Sequence, residues 1–150
     1  MEVASRLRLS LSRLTRRMRL EAREPGLSVA KHTILALLAR EGAKTPGALA
    51  HAEGVQPQSM TRVLAELEEE ELTLRKQDTA DKRQFNVEIT ARGRDLIDRD
   101  AQNRALWLAS AINARLSPIE QELLRLTIDL IDKLVETPAS DLPAVPGDKK

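Results

Sequence analysis

Residues 45–68, TPGALAHAEGVQPQSMTRVLAELE, have the pattern of two short helices joined by a tight turn. Pro46 and Pro57 each stand where a helix begins, because a first-turn N–H has no partner within the helix and proline lacks that N–H. Gly54 between them can take the positive φ that a tight turn demands. Ala50, four positions earlier, is small enough to let the two helices approach each other. The stretch therefore predicts a helix-turn-helix.

The residues that follow alternate between apolar and polar side chains. The apolar positions are Leu72 and Leu74 in one run and Phe85, Val87 and Ile89 in the next. A period of two predicts two strands, each with one buried face. The polar loop KQDTADKRQ lies between them. A β-hairpin directly after a helix-turn-helix is a wing, so the pattern indicates a winged helix-turn-helix.

Longer helices are predicted on both sides of this region. Their apolar positions are Leu7, Leu11, Leu14 and Met18; Ile34, Leu37 and Leu38; Ile97, Ala101, Ala105, Leu108 and Ile112; and Ile119, Leu123, Leu126, Leu130 and Leu134. Ser28, Thr90 and Ser117 are the expected N-caps, with a capping box at Ser117. The fold class is therefore mainly α, with six helices and a small β-hairpin wing. The fifth helix, roughly 38 Å long, exceeds what one small domain covers, which favours a homodimer.

The composition excludes several classes of protein. The 150 residues include no cysteine, so disulfides, thiolate metal sites and nucleophilic cysteines are absent. His32 and His51 have no carboxylate or cysteine at ligand spacing, so neither a metal site nor a histidine-based triad is predicted. No glycine-rich phosphate loop or carboxylate-pair signature is present. We therefore expect no catalytic residues, no cofactor and no enzyme activity.

The chain also has no pattern of a membrane protein. No apolar run reaches the length of about 18 residues that a spanning helix needs, and the N-terminus lacks the apolar core of a signal peptide. A cytoplasmic location with no membrane partner is the expectation.

Charge is unevenly distributed, although the net charge is only +1. Residues 1–23 carry seven arginines, and residues 75–94 carry six basic side chains. Residues 57–71 carry only Arg62 against five glutamates, four of them consecutive at 68–71. The N-terminal arginines are interpreted as a solvated face with intersubunit ion pairs, ahead of a second DNA patch or a membrane surface. Glu69 and Glu70 lie beyond the part of the second helix that is expected to enter a DNA groove. Their expected use is solubility or repulsion of DNA phosphates.

The order of these elements resembles the MarR (multiple antibiotic resistance regulator) family of bacterial transcription factors. The stretch DTADKRQFNVEITARG, residues 78–93, looks like that family's wing signature through Asp81, Arg83, Ile89-Thr90 and Gly93. The family has a glycine where the recognition helix stops, whereas this chain has Glu71. A side chain at such a position costs free energy if it takes the left-handed conformation. We therefore expect that helix to be longer or differently capped.

The candidate DNA-binding residues lie in the second helix of the pair and in the wing. The N-terminal part of a recognition helix meets base edges in the major groove, and wing cations suit the minor groove and its phosphates. The candidates are Gln56, Gln58, Ser59, Thr61 and Arg62 in the helix, Lys82 and Arg83 at the wing tip, and Arg75 and Lys76 on the hairpin as phosphate contacts. The resemblance implies that Asp81 organises the wing.

The leading hypothesis is a homodimeric, sequence-specific regulator of double-stranded DNA, expected to be a repressor acting on a pseudo-palindromic operator. The resemblance implies a small, often anionic or phenolic, effector that relieves repression. The alternative is a sequence-tolerant architectural DNA-binding protein. Residues 1–137 are predicted to form one subunit, with 28–90 as the DNA-binding region, 1–24 and 91–137 as dimerisation helices, and 138–150 as a disordered tail.

Overall fold

The structure is a computed structural model that describes residues 1–21, 24–77 and 84–141. Within these ranges it contains six α-helices, one antiparallel two-stranded sheet and a terminal 3₁₀ turn, which confirms the predicted fold class. The elements are α1 (Glu2–Glu21), α2 (Val29–Glu41), α3 (Pro46–Glu53), α4 (Pro57–Glu69), β1 (Thr73–Gln77), β2 (Phe85–Ile89), α5 (Ala91–Arg115), α6 (Pro118–Val135) and the 3₁₀ turn (Ala139–Asp141). The wing-tip candidates Asp81, Lys82 and Arg83 lie outside the described residues, as do positions 142–150 of the predicted tail.

The chain divides into two units, residues 1–108 and 109–150. The buried core lies in the first unit, where α2, α3, α4 and the hairpin pack together. Its most deeply buried side chains include Leu35, Leu38, Leu49, Leu67 and Val87. Leucine fills most of this core because the chain contains only one phenylalanine and one tryptophan.

The predicted starts of α2, α3 and α6 are confirmed by their hydrogen bonds. The hydroxyls of Ser28 and Thr45 accept backbone N–H groups of the helices that they precede, and Ser117 forms a complete capping box. Gly42 and Gly54 follow α2 and α3 with φ values of 80° and 61°. Both conformations are accessible to glycine without the Cβ clash that other residues meet.

The burial of side chains in β1 of the hairpin differs from the prediction. Leu74 was expected on the buried side, but it is 41% exposed, whereas Thr73 is 3% exposed. The prediction for Leu74 is wrong because Leu72 belongs to the turn that closes α4, where its N–H donates to the carbonyl of Leu67 at 2.8 Å. In β1 only Thr73, which pairs with Ile89, is buried, and the other four residues of the strand are exposed.

Two helices carry apolar side chains that their own units leave exposed. No residue of α1 is buried, and its exposed leucines include Leu9, Leu11 and Leu14. No residue of α6 is buried either, and its exposed apolar residues include Ile119, Leu123, Leu126, Leu130 and Leu134. Among the described residues, none of the helices combines the length and apolar character needed to cross a membrane.

Candidate nucleic-acid interface

The N-terminal half of α4 presents an exposed polar surface. The side chains predicted to contact DNA there are all exposed: Gln56, Gln58, Ser59, Thr61 and Arg62. Gln56 is the N-cap residue but makes no capping hydrogen bond with its side chain, so its amide remains available to a ligand. The Thr61 hydroxyl donates to the carbonyl of Pro57 at 2.9 Å and keeps its acceptor lone pairs.

The opposite face of α4 holds this surface in place. Met60, Leu64 and Leu67 are buried against the core, so the polar side chains are forced outward by helical periodicity. The turn before α4 is fixed by Gly54 and by the N–H of Val55, which donates to the α3 carbonyl of Ala50 at 3.0 Å. The predicted helix-turn-helix is thus formed, and its second helix exposes the predicted residues.

The basic side chains of the interface differ in their partners. Arg62 forms no ion pair within the described part of the chain. Arg75 bonds to Glu68 at 3.0 Å and lies over the ring of Phe85, 4.7 Å from its centroid. Lys76 pairs with Glu88 at 3.3 Å on the neighbouring strand. A phosphate contact by either hairpin cation would have to share or replace an existing carboxylate, whereas Arg62 has no such competitor among the described residues.

The glutamates at the other end of α4 bond to three neighbouring elements. Glu66 and Glu70 flank the Lys31 ammonium of α2 at 3.3 Å and 2.6 Å. Glu68 reaches Arg75 of β1, and Glu71 reaches Arg92 of α5 at 3.2 Å. The interpretation that Glu70 serves only solubility or repulsion is therefore wrong, because its carboxylate has a cation of the protein within hydrogen-bonding distance.

Glu71 takes the conformation that the family's glycine would take. Its φ is 59°, its N–H donates to the carbonyl of Glu68, and the N–H of Leu72 donates to that of Leu67. These two bonds complete the Schellman motif that closes helices at a left-handed residue. The expectation of a longer or differently capped helix is wrong, because α4 ends at Glu69 with its usual closing turn.

The Ile-Thr and glycine positions of the wing signature have a structural explanation. The Thr90 hydroxyl accepts the N–H of Gly93 at 3.0 Å, which caps the first turn of α5. A side-chain carbon at Gly93 would collide with the backbone carbonyl of Leu72 and with the side chain of Ile89. Glycine is therefore the residue that lets α5 pack directly against the end of α4 and the start of the hairpin.

A second polar cluster, which the sequence did not reveal, lies beside α2. Asp100 of α5 is fully buried and lies 3.3 Å from the Nε2 atom of His32. It also pairs with Arg104 and accepts the backbone N–H of Glu24 at 3.2 Å. Burial, together with the nearby Arg104 charge, lowers the pKa of His32, while Asp100 opposes that shift. The sequence signal was weak, since only the spacing of four between Asp100 and Arg104 on one helix was visible.

A small cavity borders this cluster within the first unit. Its lining combines cationic and apolar side chains: Arg19, Leu20, Leu27, Ser28, Val29, His32 and Arg104. Its volume of about 70 Å³ is room for several water molecules or for the anionic end of a small molecule. Within the described ranges, no group of three or more histidine or carboxylate side chains is arranged to hold a metal ion.

Comparison with known proteins places the chain among regulators. A profile of the MarR family matches residues 27–85. An HTH-type transcriptional regulator of Mycobacterium tuberculosis is 38% identical over 134 residues, 89% of this chain and 93% of the relative. The structure of a transcriptional regulator protein of Pseudomonas aeruginosa is 29% identical, with a TM-score of 0.77 over 91% of this chain and 96% of that one. A mutant of Staphylococcus aureus MepR bound to an oligodeoxyribonucleotide has the same fold, with 16% identity and a TM-score of 0.67 over 89% of this chain and 98% of that one.

Proposed function

The chain belongs to the MarR family of DNA-binding transcriptional regulators and is not an enzyme, and we propose that it acts as a repressor. In this proposal it binds a pseudo-palindromic operator as a homodimer. One observation carries the proposal: the exposed N-terminal half of α4 has neutral and cationic polar side chains and no carboxylate. Glutamine pairs with adenine and arginine with guanine in the major groove. Most of the carboxylates near the C-terminal end of α4 are paired with cations of the protein, so little negative charge would face the DNA groove.

The exposed apolar faces of α1 and α6 support the homodimer. A monomer in water would leave these leucine-rich stripes unburied, and exposed patches of this kind mark protein interfaces. Their charges are also opposite, since α1 carries six arginines against two glutamates, and α6 carries four acidic side chains against two basic ones. We assign 28–90 to DNA binding and 1–24 with 91–137 to dimerisation. Two copies of α4 would then meet successive major grooves, about 34 Å apart.

The cavity beside α2 supports a small anionic effector. Arg19 and Arg104 supply positive charge at its wall, and Leu20 and Val29 supply apolar surface. Asp100 offsets part of that charge, so one carboxylate is a better match than a multiply charged anion. Among the described residues, no phenylalanine, tyrosine or tryptophan lines the cavity, which favours an aliphatic or small phenolic acid over a ligand that needs stacking. The effector would release DNA by changing the separation of the two copies of α4.

DNA selection tests the sequence specificity directly. The protein is incubated with a random duplex library, bound DNA is amplified over several rounds, and affinities for the selected and random duplexes are measured by fluorescence anisotropy at several salt concentrations. We expect one inverted-repeat consensus and at least about a thousandfold preference for it. Equal affinity for both duplexes would support the architectural alternative instead, and no binding at low salt would contradict both functions.

The oligomeric state and the regulation need separate measurements. Light scattering on the purified protein should give the mass of two chains, and a monomer at micromolar concentration would contradict the dimer. For the effector, a panel of small monocarboxylates is screened by thermal shift and by release of the selected duplex. A compound that stabilises the wild type but not an Arg104→Met variant supports the cavity. Repression itself is tested with a reporter gene behind the selected operator in the cytoplasm of a bacterial host.

A further inference from the structure

Lys31 is unusual among the lysines and arginines of the described residues because it is buried. It is 8% exposed, although α2 begins only two residues earlier. Lysine is rarely buried without a partner, because the charged ammonium loses its hydration. Here the hydrogen bond that Lys31 donates to Glu70 raises the pKa of Lys31, while burial acts in the opposite direction. The ammonium therefore stays charged inside the contact between α2 and α4.

The two carboxylates that meet Lys31 are one helical turn apart on α4. Glu66 and Glu70 have the spacing of four that puts side chains on one face, and both reach the same nitrogen, at 3.3 Å and 2.6 Å. Apolar contacts between α2 and α4 have no strong directional preference. A single ammonium held between two successive turns resists both rotation of α4 about its axis and sliding along it.

Such a restraint matters at the reading end of the helix. A rotation of about 20° would move side-chain atoms about 2 Å at the outer radius of a helix, which is roughly 5–6 Å. Hydrogen bonds to base edges fail when the donor and acceptor separate beyond about 3.5 Å. Phosphate contacts are longer-ranged and tolerate that displacement far better. A small loss of orientation would therefore reduce the reading of bases before it reduced general affinity for DNA.

We propose that Lys31 is a positioning residue for sequence recognition: with Glu66 and Glu70 it fixes the orientation in which α4 presents Gln58 and Arg62 to the bases. The residue touches no DNA in this role and acts through α4. The next residue, His32, lies beside the Asp100 cluster and the cavity. If a ligand in the cavity shifted α2, the movement would therefore be transmitted to the recognition helix through Lys31. This inference rests on the proposed function, since it requires an operator that is recognised by sequence.

The test compares variants that change charge in opposite directions. Lys31→Met keeps most of the aliphatic stem and removes one positive charge, while Glu66→Gln with Glu70→Gln removes two negative charges. Glu69→Gln is the matched control, because Glu69 is exposed and forms no ion pair within the described residues. Affinities for the selected operator and for random DNA are measured on full-length protein, after circular dichroism has confirmed folding at the assay temperature.

Positioning predicts that the ratio of operator to random affinity falls at least about tenfold in both Lys31→Met and the double glutamine variant. General electrostatics predicts instead that random-DNA affinity falls in the first and rises in the second, with the ratio unchanged. Glu69→Gln should keep the ratio, and Lys31→Arg should restore most of it. If Lys31→Met does not fold, the double glutamine variant decides, since its half-exposed carboxylates are replaced by amides of similar shape.

Two results would overturn the assignment of Lys31. One is a folded Lys31→Met protein that keeps the wild-type ratio, and the other is a double glutamine variant that does so. Failure of the proposed function has a different signature, because wild-type protein would then select no sequence at all. Adding Lys31→Met to the double glutamine variant should reduce the ratio no further, since the three residues act as one unit.

Discussion

The Thr90 hydroxyl donates to the backbone carbonyl of Glu71 at 2.7 Å. The N–H of Glu71 meanwhile donates to the carbonyl of Glu68. The peptide groups on both sides of this left-handed residue are therefore held, one by the closing turn of α4 and the other by the start of α5. Its side chain adds an exposed ion pair with Arg92. The conformation is imposed by the contacts around residue 71 rather than preferred by glutamate itself.

Glu71→Gly should stabilise the protein. A residue with a Cβ costs about 1–2 kcal/mol of stability in the left-handed region. The greater freedom of glycine in the unfolded chain offsets part of the stability gained by the substitution. The Arg92 pair is exposed and contributes little. We expect a net gain of about 1 kcal/mol, or a melting temperature about 2–4 °C higher, measured by thermal denaturation monitored by circular dichroism.

The control for this substitution is Glu71→Ala. Alanine also loses the Arg92 ion pair but keeps the Cβ and its strain, so it should leave the melting temperature unchanged or slightly lower. If alanine stabilises the protein as much as glycine does, the gain comes from charge removal at a helix C-terminus, and the assignment of strain is wrong.

Gly93→Ala should destabilise the protein strongly. The new methyl group would overlap the backbone carbonyl of Leu72 and press on the side chain of Ile89. Overpacking of this kind costs about 1–3 kcal/mol or more, which urea denaturation would register as a lower midpoint. Gly47→Ala is the matched control, because nothing lies within 4 Å of its added carbon and alanine favours the helix. Equal effects at the two positions would contradict the proposed close approach.

Local sequence predicted the starts of α2, α3 and α6 because each N-cap depends on residues within one turn of it. Ser28, Thr45 and Ser117 bond to N–H groups three positions later, so residue type and spacing suffice. The partners of the glutamate run could not be predicted in this way. Lys31 lies 39 positions from Glu70, and Arg92 lies 21 positions from Glu71, so only the packing of α2 and α5 around α4 brings these charges together.

Leu74 shows a different limit of sequence patterns. The alternation Leu72, Leu74 has the period of a strand, but Leu72 is buried by the closing turn of α4 and not by the sheet. A period of two cannot separate these causes of burial. The cluster of His32, Asp100 and Arg104 was missed because a single aspartate in a helix rich in charge has no distinguishing neighbour in sequence.

Arg62→Ala should reduce sequence discrimination more than general DNA affinity. Its guanidinium is exposed on the half of α4 that we propose reads the bases, and it has no ion pair among the described residues, so a bidentate bond to guanine is open to it. Loss of one such contact costs about 1–3 kcal/mol of discrimination. The measurement is the affinity for the selected operator and for operators substituted at each guanine. An unchanged preference at every guanine would exclude Arg62 as a base reader.

Arg83→Ala gives the comparison for the wing. The sequence assigns this arginine to the minor groove and flanking phosphates, so its removal should weaken selected and random duplexes by similar factors and reduce the salt dependence by about one phosphate contact. Affinity that is unchanged at moderate salt would contradict the wing assignment while leaving the prediction for Arg62 intact.

His32 should make the stability of the protein depend on pH in the weakly acidic range. Burial and the Arg104 charge lower its pKa in the folded state from the unperturbed 6.5, so the unfolded chain binds the proton more tightly. The stabilisation that this provides is complete above about pH 6.5 and is lost as the pH falls through the lower folded value. The pKa values of three carboxyls are also lowered, from 4.5, so these groups do not titrate in the weakly acidic range of His32. They belong to Glu41, Glu120 and Glu122.

We therefore expect a lower melting temperature at about pH 5.5 than at about pH 7.5, and a smaller difference in His32→Gln, whose amide can still donate to Asp100. His51→Gln is the control, because His51 is exposed on α3 and should leave the difference unchanged. If His32→Gln keeps the full wild-type difference, the acid sensitivity arises elsewhere. A melting temperature that rises on acidification in wild type but not in His32→Gln would mean that Asp100 prevails over burial and Arg104, and that the pKa of His32 is raised instead.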